Sequence, residues 1–216
     1  MGIIRDAAYK AAKDILVLLG INAVITAKEL HDQKKEKRIS NRFKLFSLLS
    51  KYKNHLLAIC HEKKGSERTY VFSTIDDRIA FFASCPKKHL GIQLYDYDEN
   101  VIGSVIFDSP VKTGLLINKK YSRKLFLNLG NSQVGTVELA TEGRRKIISI
   151  QSIFWNLCLD NGDSTVEYEK EFKISPVDLF TKRAYQIGFN DEGKELVLVL
   201  IFIAVNEAKC ILKEIK

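Results

Sequence analysis

Ten apolar residues follow one another from Leu196 to Val205, near the end of a chain of 216 residues. As a helix rising about 1.5 Å per residue, this run would span about half of a bilayer's hydrocarbon core, which is too short to cross it. The run does not alternate apolar and polar residues, so it is not a strand with one face in water. We therefore expect it to be buried on every side by the rest of the chain.

The composition is that of a globular protein, with 46% hydrophobic residues, 28% charged residues and three prolines. A chain of 216 residues is long enough to build one substantial core. Its four cysteines form no CxxC pair, and its first residues carry no signal-peptide pattern. We therefore expect a cytoplasmic protein with free thiols and with neither a bound metal nor a cofactor.

From Tyr70 onward the apolar pattern changes from a helical period to a period of two, which predicts short antiparallel strands. Three hairpins are predicted. Their turns are an Asp/Asn turn between the runs Leu90–Tyr95 and Val101–Phe107, a turn at Gly130-Asn131 and a turn at Asn161-Gly162. Successive hairpins of this kind favour a sandwich or a closed barrel.

The second strands of the first two hairpins are similar: one reads "VIGSVIF" and the other "QVGTVEL". Each contains a glycine within the strand, Gly103 in the first and Gly135 in the second. A glycine inside a strand predicts a β-bulge or the close approach of another backbone.

The fold expected is α+β: an antiparallel β-barrel of hairpins around a buried hydrophobic C-terminal helix, preceded by N-terminal helices. Asp191, Glu192 and Glu195 are acidic candidates for the first turn of that C-terminal helix. Five of the ten residues in the apolar run are β-branched, which favours a buried strand instead. Periodicity does not separate these two interpretations.

All of the net charge of +8 lies in the N-terminal third of the chain. Residues 1–68 contain 15 Lys and Arg against 7 Asp and Glu, whereas the remaining residues are balanced. An asymmetry of this kind suggests contact with phospholipid or nucleic acid, although a solvated helix face would also account for it.

Residues 1–66 are predicted to form a basic helical region, and residues 67–216 the barrel domain. An uncharged segment, Ile15–Ala27, precedes four basic residues: Lys34, Lys35, Lys37 and Arg38. This order suits a helix on a membrane surface held by anionic headgroups, or a helix packed on the barrel or on a second copy. A second helix is predicted from Ser40 to the vicinity of Gly65.

The order of these features resembles the superfamily of tubby C-terminal-like domains, phospholipid scramblases and LURP-one-related proteins. Three passages carry the resemblance: "LGIQLYDYDENVIGSVIFD", its repeat "LFLNLGNSQVGTVEL", and the ending "AYQIGFNDEGKELVLVLIFIAVNEA". The resemblance covers about residues 69–209 and implies a β-barrel wrapped around a hydrophobic C-terminal helix. It also implies contact with phosphoinositide or other phospholipid rather than catalysis.

If the resemblance holds, basic residues in loops and at strand ends would bind the phosphate groups. The candidates form two clusters: Lys119, Lys120, Arg123 and Lys124 in one, and Arg144, Arg145 and Lys146 in the other. Solvated turns would also explain both clusters, and we favour that interpretation from the sequence alone.

No catalytic motif is found in the sequence, so we expect a binding protein and not an enzyme. The spacing of Asp96, Asp98 and Asn100 is that of a calcium loop, but Val101 and Phe107 stand where glycine and glutamate are required, so we interpret it as a turn. The leading hypothesis is a non-enzymatic domain that binds acidic phospholipid or a protein partner, peripherally on a membrane. Nucleic-acid binding through residues 42–55 and oligomerisation through the first helix are the alternatives.

Overall fold

The fold was analysed in a computed structural model that describes residues 51–62, 68–74, 78–84, 91–113, 120–142, 145–160, 163, 165–177 and 184–215. The helices predicted before residue 51 lie outside these residues, as do Lys34, Lys35, Lys37 and Arg38. The described residues form antiparallel strands and one α-helix. The strands are β1 (Asn54–Glu62), β2 (Arg68–Ser73), β3 (Ile79–Ser84), β4 (Ile92–Asp96), β5 (Val101–Phe107), β6 (Val111–Thr113), β7 (Lys120–Leu129), β8 (Ser132–Glu142), β9 (Arg145–Ser152), β10 (Asn156–Asp160), β11 (Val166–Tyr168), β12 (Phe172–Pro176) and β13 (Ala184–Phe189). A 3₁₀ turn, Glu192–Lys194, leads into the helix α1, Glu195–Glu214.

The strands form one antiparallel sheet in the order β10-β9-β8-β7-β5-β4-β3-β2-β1-β13-β12-β11, with β6 added beside β7. The sheet curls into a nearly closed barrel whose first and last strands, β10 and β11, are consecutive in the chain. The backbone N–H of Asp163 donates to the carbonyl of Asp160, 3.0 Å away, in the turn that follows β10. Strands β10 and β11 are therefore the two edges of the sheet, and no ladder joins them in the described residues. We call the gap between them the seam.

The apolar run Leu196–Val205 is helical and enclosed, as predicted. Every residue from Val197 to Val205 is at most 3% exposed. The Phe202 ring meets the rings of Tyr70, Phe72 and Tyr185 on β2 and β13, with centroids 5.2 to 6.0 Å apart. Contacts with β5, β7, β8 and β9 enclose α1 on the other side. Burial against the whole sheet outweighs the β-propensity of the branched residues.

We name the two ends of the barrel after the two ends of α1. The N end is where α1 begins, and the turns β4–β5, β7–β8, β9–β10 and β11–β12 all lie there. The C end is where α1 finishes, and it receives the starts of β2, β7 and β9. Because every pairing is antiparallel, these assignments follow directly from the strand registers.

Both strand glycines lie at β-bulges, as the sequence predicts. The pairing register shifts beside Gly103 between β4 and β5 and beside Gly135 between β7 and β8. A Cβ on either glycine would lie 2.8 Å from a backbone oxygen of the next strand. The carbonyl of Ile102, the residue before Gly103, accepts the N–H of Gly130 in the β7–β8 turn. The carbonyl of Val134, the residue before Gly135, accepts the N–H of Ile153 in the β9–β10 turn. The repeated sequence thus ties three successive turns together at the N end.

The prediction of a helix from Ser40 to near Gly65 is wrong for residues 54–62, which form strand β1 between β13 and β2. Leu56 and Ala58 face the main core, whereas Leu57 and Ile59 belong to a second apolar cluster on the outer face. A strand buried on both faces has no period of two, so its pattern resembles that of a buried helix. The sheet therefore includes residues before the predicted boundary at 66.

The third hairpin turns at a different place from the one predicted. Strands β9 and β10 pair around residues 153–155, where the carbonyl of Trp155 accepts the N–H of Ser152 at 2.9 Å. Asn161 and Gly162 lie outside the described residues, and their neighbours Asp160 and Asp163 connect β10 to β11, which pairs with β12 and not with β10. The predicted turn signal therefore marks the seam and not a hairpin.

Candidate functional site

The β9–β10 turn exposes two large apolar side chains at the N end. The Oγ of Ser152 accepts the N–H groups of Phe154 and Trp155 at 3.3 and 2.9 Å, which fixes a tight turn without glycine. Ile153 is 61% exposed and Phe154 40% exposed at its tip. Tyr97 is exposed on the β4–β5 turn at the same end. Exposed apolar side chains on turns of a rigid barrel are candidates for contact with a membrane or a protein.

Behind that turn, the side chain of Trp155 covers the seam between β10 and β11. Trp155 is a core residue, 2% exposed, and its ring lies 4.8 Å from that of Phe172. Its Nε1 donates to Oε2 of Glu171 at 2.6 Å. A cavity of about 190 Å³ lies beside it, bounded in part by Phe189 and Leu198. The cavity therefore has an apolar floor and a charged rim.

Lys194, the residue before α1, provides the cation at this rim. Its Nζ lies 3.1 Å from Oε2 of Glu171 and 3.7 Å from Oδ2 of Asp191. The same Nζ lies 5.4 Å from the centroid of the Phe154 ring and 5.7 Å from that of Trp155. Hydrogen bonds from Trp155 and then from Lys194 lower the pKa of the Glu171 carboxyl. We call these five residues the Lys194 cage.

The segment that precedes β1 also reaches the barrel at the N end. Lys51 forms an ion pair of 2.6 Å with Glu167 on β11, and the Tyr52 hydroxyl donates to the same carboxylate at 3.3 Å. Hydrogen bonds from Lys173 and Lys51 lower the pKa of Glu167 to about 2. The N–H of Lys53 donates to Oδ1 of Asn190, which also borders the cavity. The basic N-terminal third therefore joins the barrel beside the Lys194 cage.

Those of the predicted phosphate-binding residues that can be placed lie nearer the C end, within strands or at their starts. Lys120, Arg123 and Lys124 belong to β7, and Arg145 and Lys146 to β9. Lys119 and Arg144 lie outside the described residues.

Arg123 and Lys124 of β7 each have a partner within the barrel wall. The Nε of Arg123 donates to the carbonyl of Asp108 at 2.8 Å, and its guanidinium covers the Phe107 ring at 5.4 Å. Lys124 lies 3.9 Å from Glu138, with both side chains well exposed. Their binding of phosphate stays a prediction.

On β9, the two basic residues have different environments. Arg145 is exposed and pairs with Asp160 at 3.3 Å. Lys146 reaches the end of α1, where its Nζ donates to the carbonyls of Leu212 and, at 3.4 Å, Ile215. These carbonyls have no partner within the helix, so Lys146 acts as a C-terminal cap.

A buried carboxylate also lies toward the C end. Glu207 on α1 is 4% exposed and accepts hydrogen bonds from Arg68 at 2.8 Å and from the Tyr70 hydroxyl at 2.6 Å. Burial, and then the nearby charge of Glu207, raise the pKa of Tyr70. Burial lowers the pKa of Arg68 and the charge of Glu207 raises it, with a net rise. This cluster attaches α1 to β2.

Two further interpretations of the sequence can be placed. Asp96 accepts the backbone N–H and the side-chain amide of Asn100 at 2.8 and 3.0 Å, so the calcium-like spacing is the predicted turn. In the segment proposed for nucleic acid, Tyr52 is 3% exposed and Lys51 is paired with Glu167, while residues 42–50 lie outside the described part. The buried Tyr52 side chain therefore adds nothing to an open face of interleaved aromatic and basic residues.

Comparisons with protein-family models, with curated proteins and with solved structures found no match. The likeness to the tubby and scramblase superfamily therefore stays a resemblance. Among the described residues no helix has both the length and the apolar character needed to span a bilayer. These residues also contain no group of three His, Cys, Asp or Glu side chains placed to hold a metal ion.

Sequence reasoning missed the Lys194 cage because its members are distant along the chain. Trp155 stands in a turn after β9, Glu171 in a turn after β11 and Lys194 just before α1. Only closure of the barrel brings these three turns together. The signal that could have suggested it is the pair of aromatic residues, Phe154 and Trp155, at the end of an alternating strand.

Proposed function

We propose that this chain is a non-enzymatic barrel domain that binds acidic phospholipid at a membrane surface, with the N end of the barrel facing the headgroups. The observation that carries the proposal is that exposed apolar turns and the attachment point of the basic N-terminal third occur at the same end. Ile153 and Phe154 provide the apolar contact, and Lys51 to Lys53 mark the attachment. The resemblance to lipid-binding domains of the tubby and scramblase superfamily supports the same function.

The charge of the N end itself explains why the N-terminal region is needed. Its turns carry several carboxylates, including Asp98, Asp191 and Glu192, which an anionic surface repels. Attraction must therefore come from the basic residues of the N-terminal third, such as Lys34, Lys35, Lys37 and Arg38. A basic residue close to an anionic membrane contributes about 1 kcal/mol. The apolar turn then adds contact that depends little on salt.

Insertion of the apolar turn gives a measurable part of the affinity. Full burial of a large apolar side chain contributes about 1.5–3 kcal/mol, and Ile153 and Phe154 are each about half exposed beforehand. Together they should contribute about 1.5–3 kcal/mol, which corresponds to at least about a tenfold change in affinity.

Co-sedimentation with vesicles tests the proposal. The full chain should bind vesicles that contain phosphatidylserine and not vesicles of phosphatidylcholine alone, and the double variant Ile153→Ser, Phe154→Ser should bind at least about tenfold more weakly. The matched control is Ile106→Ser, Val111→Ser, which removes two comparably exposed apolar residues on the barrel wall toward the C end. Replacing Lys34, Lys35, Lys37 and Arg38 by Gln should weaken binding and reduce its salt dependence.

Four results would contradict the proposal. Binding that is indifferent to anionic lipid would remove the role of charge. Equal losses in the two apolar double variants would remove the role of the N end. A larger loss on reversing the charges of Lys120 and Lys124 than on removing Ile153 and Phe154 would favour the phosphate sites predicted from the sequence. If Ile153 and Phe154 matter only for binding another protein, the alternative of a protein partner replaces the lipid.

A further inference from the structure

The Lys194 cage surrounds an ammonium group with the features that recognise ammonium ligands. Two aromatic rings, Phe154 and Trp155, lie 5.4 and 5.7 Å from Nζ of Lys194. Two carboxylates, Glu171 and Asp191, lie 3.1 and 3.7 Å from it. Aromatic faces combined with carboxylates attract alkylated and primary ammonium groups through the ring quadrupole and the opposite charge. The side chain of Lys194 thus shows that the cage accepts an ammonium group.

The ammonium group of Lys194 can be displaced. The side chain of Lys194 is 26% exposed, and those of Glu171 and Asp191 are 42% and 58% exposed. An ion pair this open to water contributes at most about 1 kcal/mol. Lysine has a flexible stem, so its charge can swing away without any change in the backbone. The cavity beside Trp155 then receives what replaces it.

The size and charge of the site restrict the ligand. A cavity of about 190 Å³ is smaller than the roughly 300–1,000 Å³ of pockets for drug-sized molecules, so it suits a small headgroup. The two carboxylates and Lys194 leave one uncompensated negative charge, which a second ammonium would neutralise. Once displaced, Lys194 needs a new anion nearby. A phosphate ester next to the incoming ammonium provides one.

We propose that the Lys194 cage binds the ammonium group of a phospholipid headgroup while Lys194 turns to the adjacent phosphate. The inference rests on the proposed function and specifies its ligand: the serine headgroup carries an ammonium beside a phosphate and is also acidic. Phe154 links the two roles, because it belongs both to the exposed apolar turn and to the cage.

The chain reports on this site directly, because Trp155 is its single tryptophan. The emission of Trp155 in the full chain is measured during titration with glycerophosphoserine, glycerophosphocholine and choline chloride. We expect a saturable change with glycerophosphoserine and weaker responses to glycerophosphocholine and choline. The variant Lys194→Met should bind choline more tightly, since the competing ammonium is gone, and glycerophosphoserine more weakly, since the phosphate loses its partner. The ratio of the two dissociation constants should therefore shift by tenfold or more.

The control is Lys170→Met, which removes an exposed lysine on the neighbouring β11–β12 turn and should leave all three titrations unchanged. Denaturant unfolding of each variant confirms that it is folded. A Lys194→Met variant in which both constants move in the same direction, or neither moves, would overturn the proposal. So would the absence of any saturable response in the wild type.

The outcomes also separate this inference from the proposed function. Vesicle binding without any response of Trp155 to soluble headgroups would overturn the ammonium site and leave membrane binding intact. A response of Trp155 with the expected opposite shifts in Lys194→Met, but without vesicle binding, would support the site and overturn membrane binding.

Discussion

Each end of the barrel has a carboxylate held by an aromatic donor and a basic side chain, but the two sets differ in burial. Toward the C end, Glu207 accepts from Tyr70 at 2.6 Å and from Arg68 at 2.8 Å, and it is 4% exposed. At the N end, Glu171 accepts from Trp155 at 2.6 Å and from Lys194 at 3.1 Å, with its side chain 42% exposed.

The difference shows how burial decides the role of similar groups. A buried carboxylate cannot exchange its partners for water, so Arg68, Tyr70 and Glu207 must stay together and fix α1 within the barrel. An exposed carboxylate loses little when its partner leaves, so Lys194 can be replaced by a ligand. On this account the C end maintains the fold and the N end makes outside contacts.

The largest effect expected is from Glu207→Ala. It leaves the Arg68 charge and the Tyr70 hydroxyl without their buried partner, and breaking such a pair costs about 3–5 kcal/mol. Glu171→Ala at the N end should reduce the free energy of unfolding by about 1 kcal/mol or less. Denaturant unfolding of both variants measures the contrast. Equal losses would break the distinction between the two ends.

A test within the N end is Gly135→Ala. The added Cβ would lie 2.8 Å from the carbonyl oxygen of Gln151, so the bulge must distort, at a cost of about 1–3 kcal/mol. The control Gly193→Ala meets only the carboxylate of Asp191 at 3.3 Å and should change the free energy of unfolding by about 0.5 kcal/mol or less. If both variants are equally stable, the bulges do not fix the turns that carry the site.

Lys146→Met tests the cap at the C end. It removes the cation that binds the last carbonyls of α1, for a loss of about 1 kcal/mol in the free energy of unfolding. Lys124→Met replaces an exposed lysine on β7 and should have an effect below about 0.5 kcal/mol. A Lys146→Met variant as stable as Lys124→Met would show that Lys146 is available for phosphate, as the sequence suggests.

The smallest effect concerns pH at the N end. Because Lys173 and Lys51 lower the pKa of Glu167 to about 2, its contribution to stability is complete above its usual pKa and is lost as pH falls toward 2. The group is largely exposed, so the contribution should be about 0.5 kcal/mol or less. Wild type and Glu167→Gln should differ in unfolding free energy at pH 6 and converge between about pH 4.5 and 2. A difference that grows on acidification would contradict this.

The sequence predicts the parts of the fold that depend on local pattern. Ten apolar residues without alternation identify α1 as enclosed, and the paired glycines Gly103 and Gly135 identify the bulges. Strand β1 escapes prediction because apolar residues cover both of its faces, with Leu57 and Ile59 in a second cluster. The β9–β10 turn escapes because Ser152, and not glycine or asparagine, shapes it.

The candidate site depends on contacts that no local pattern contains. Lys146 looks like a member of a basic triplet, and only the position of the end of α1 makes it a helix cap. Lys194 and Trp155 are separated by four strands along the chain, and they meet because the barrel nearly closes. Closure of the barrel, which sequence periodicity does not specify, therefore determines the roles of Lys146 and Lys194.

The measurement that most directly tests the role of the N end is quenching of the single tryptophan by brominated lipid. The full chain is mixed with phosphatidylserine vesicles whose acyl chains carry bromine close to the headgroup, and the emission of Trp155 is compared with that in unbrominated vesicles. Our account predicts strong quenching, because Trp155 lies directly behind the inserted residues Ile153 and Phe154. Co-sedimentation of the protein with the brominated vesicles without quenching of Trp155 would show that another surface meets the membrane.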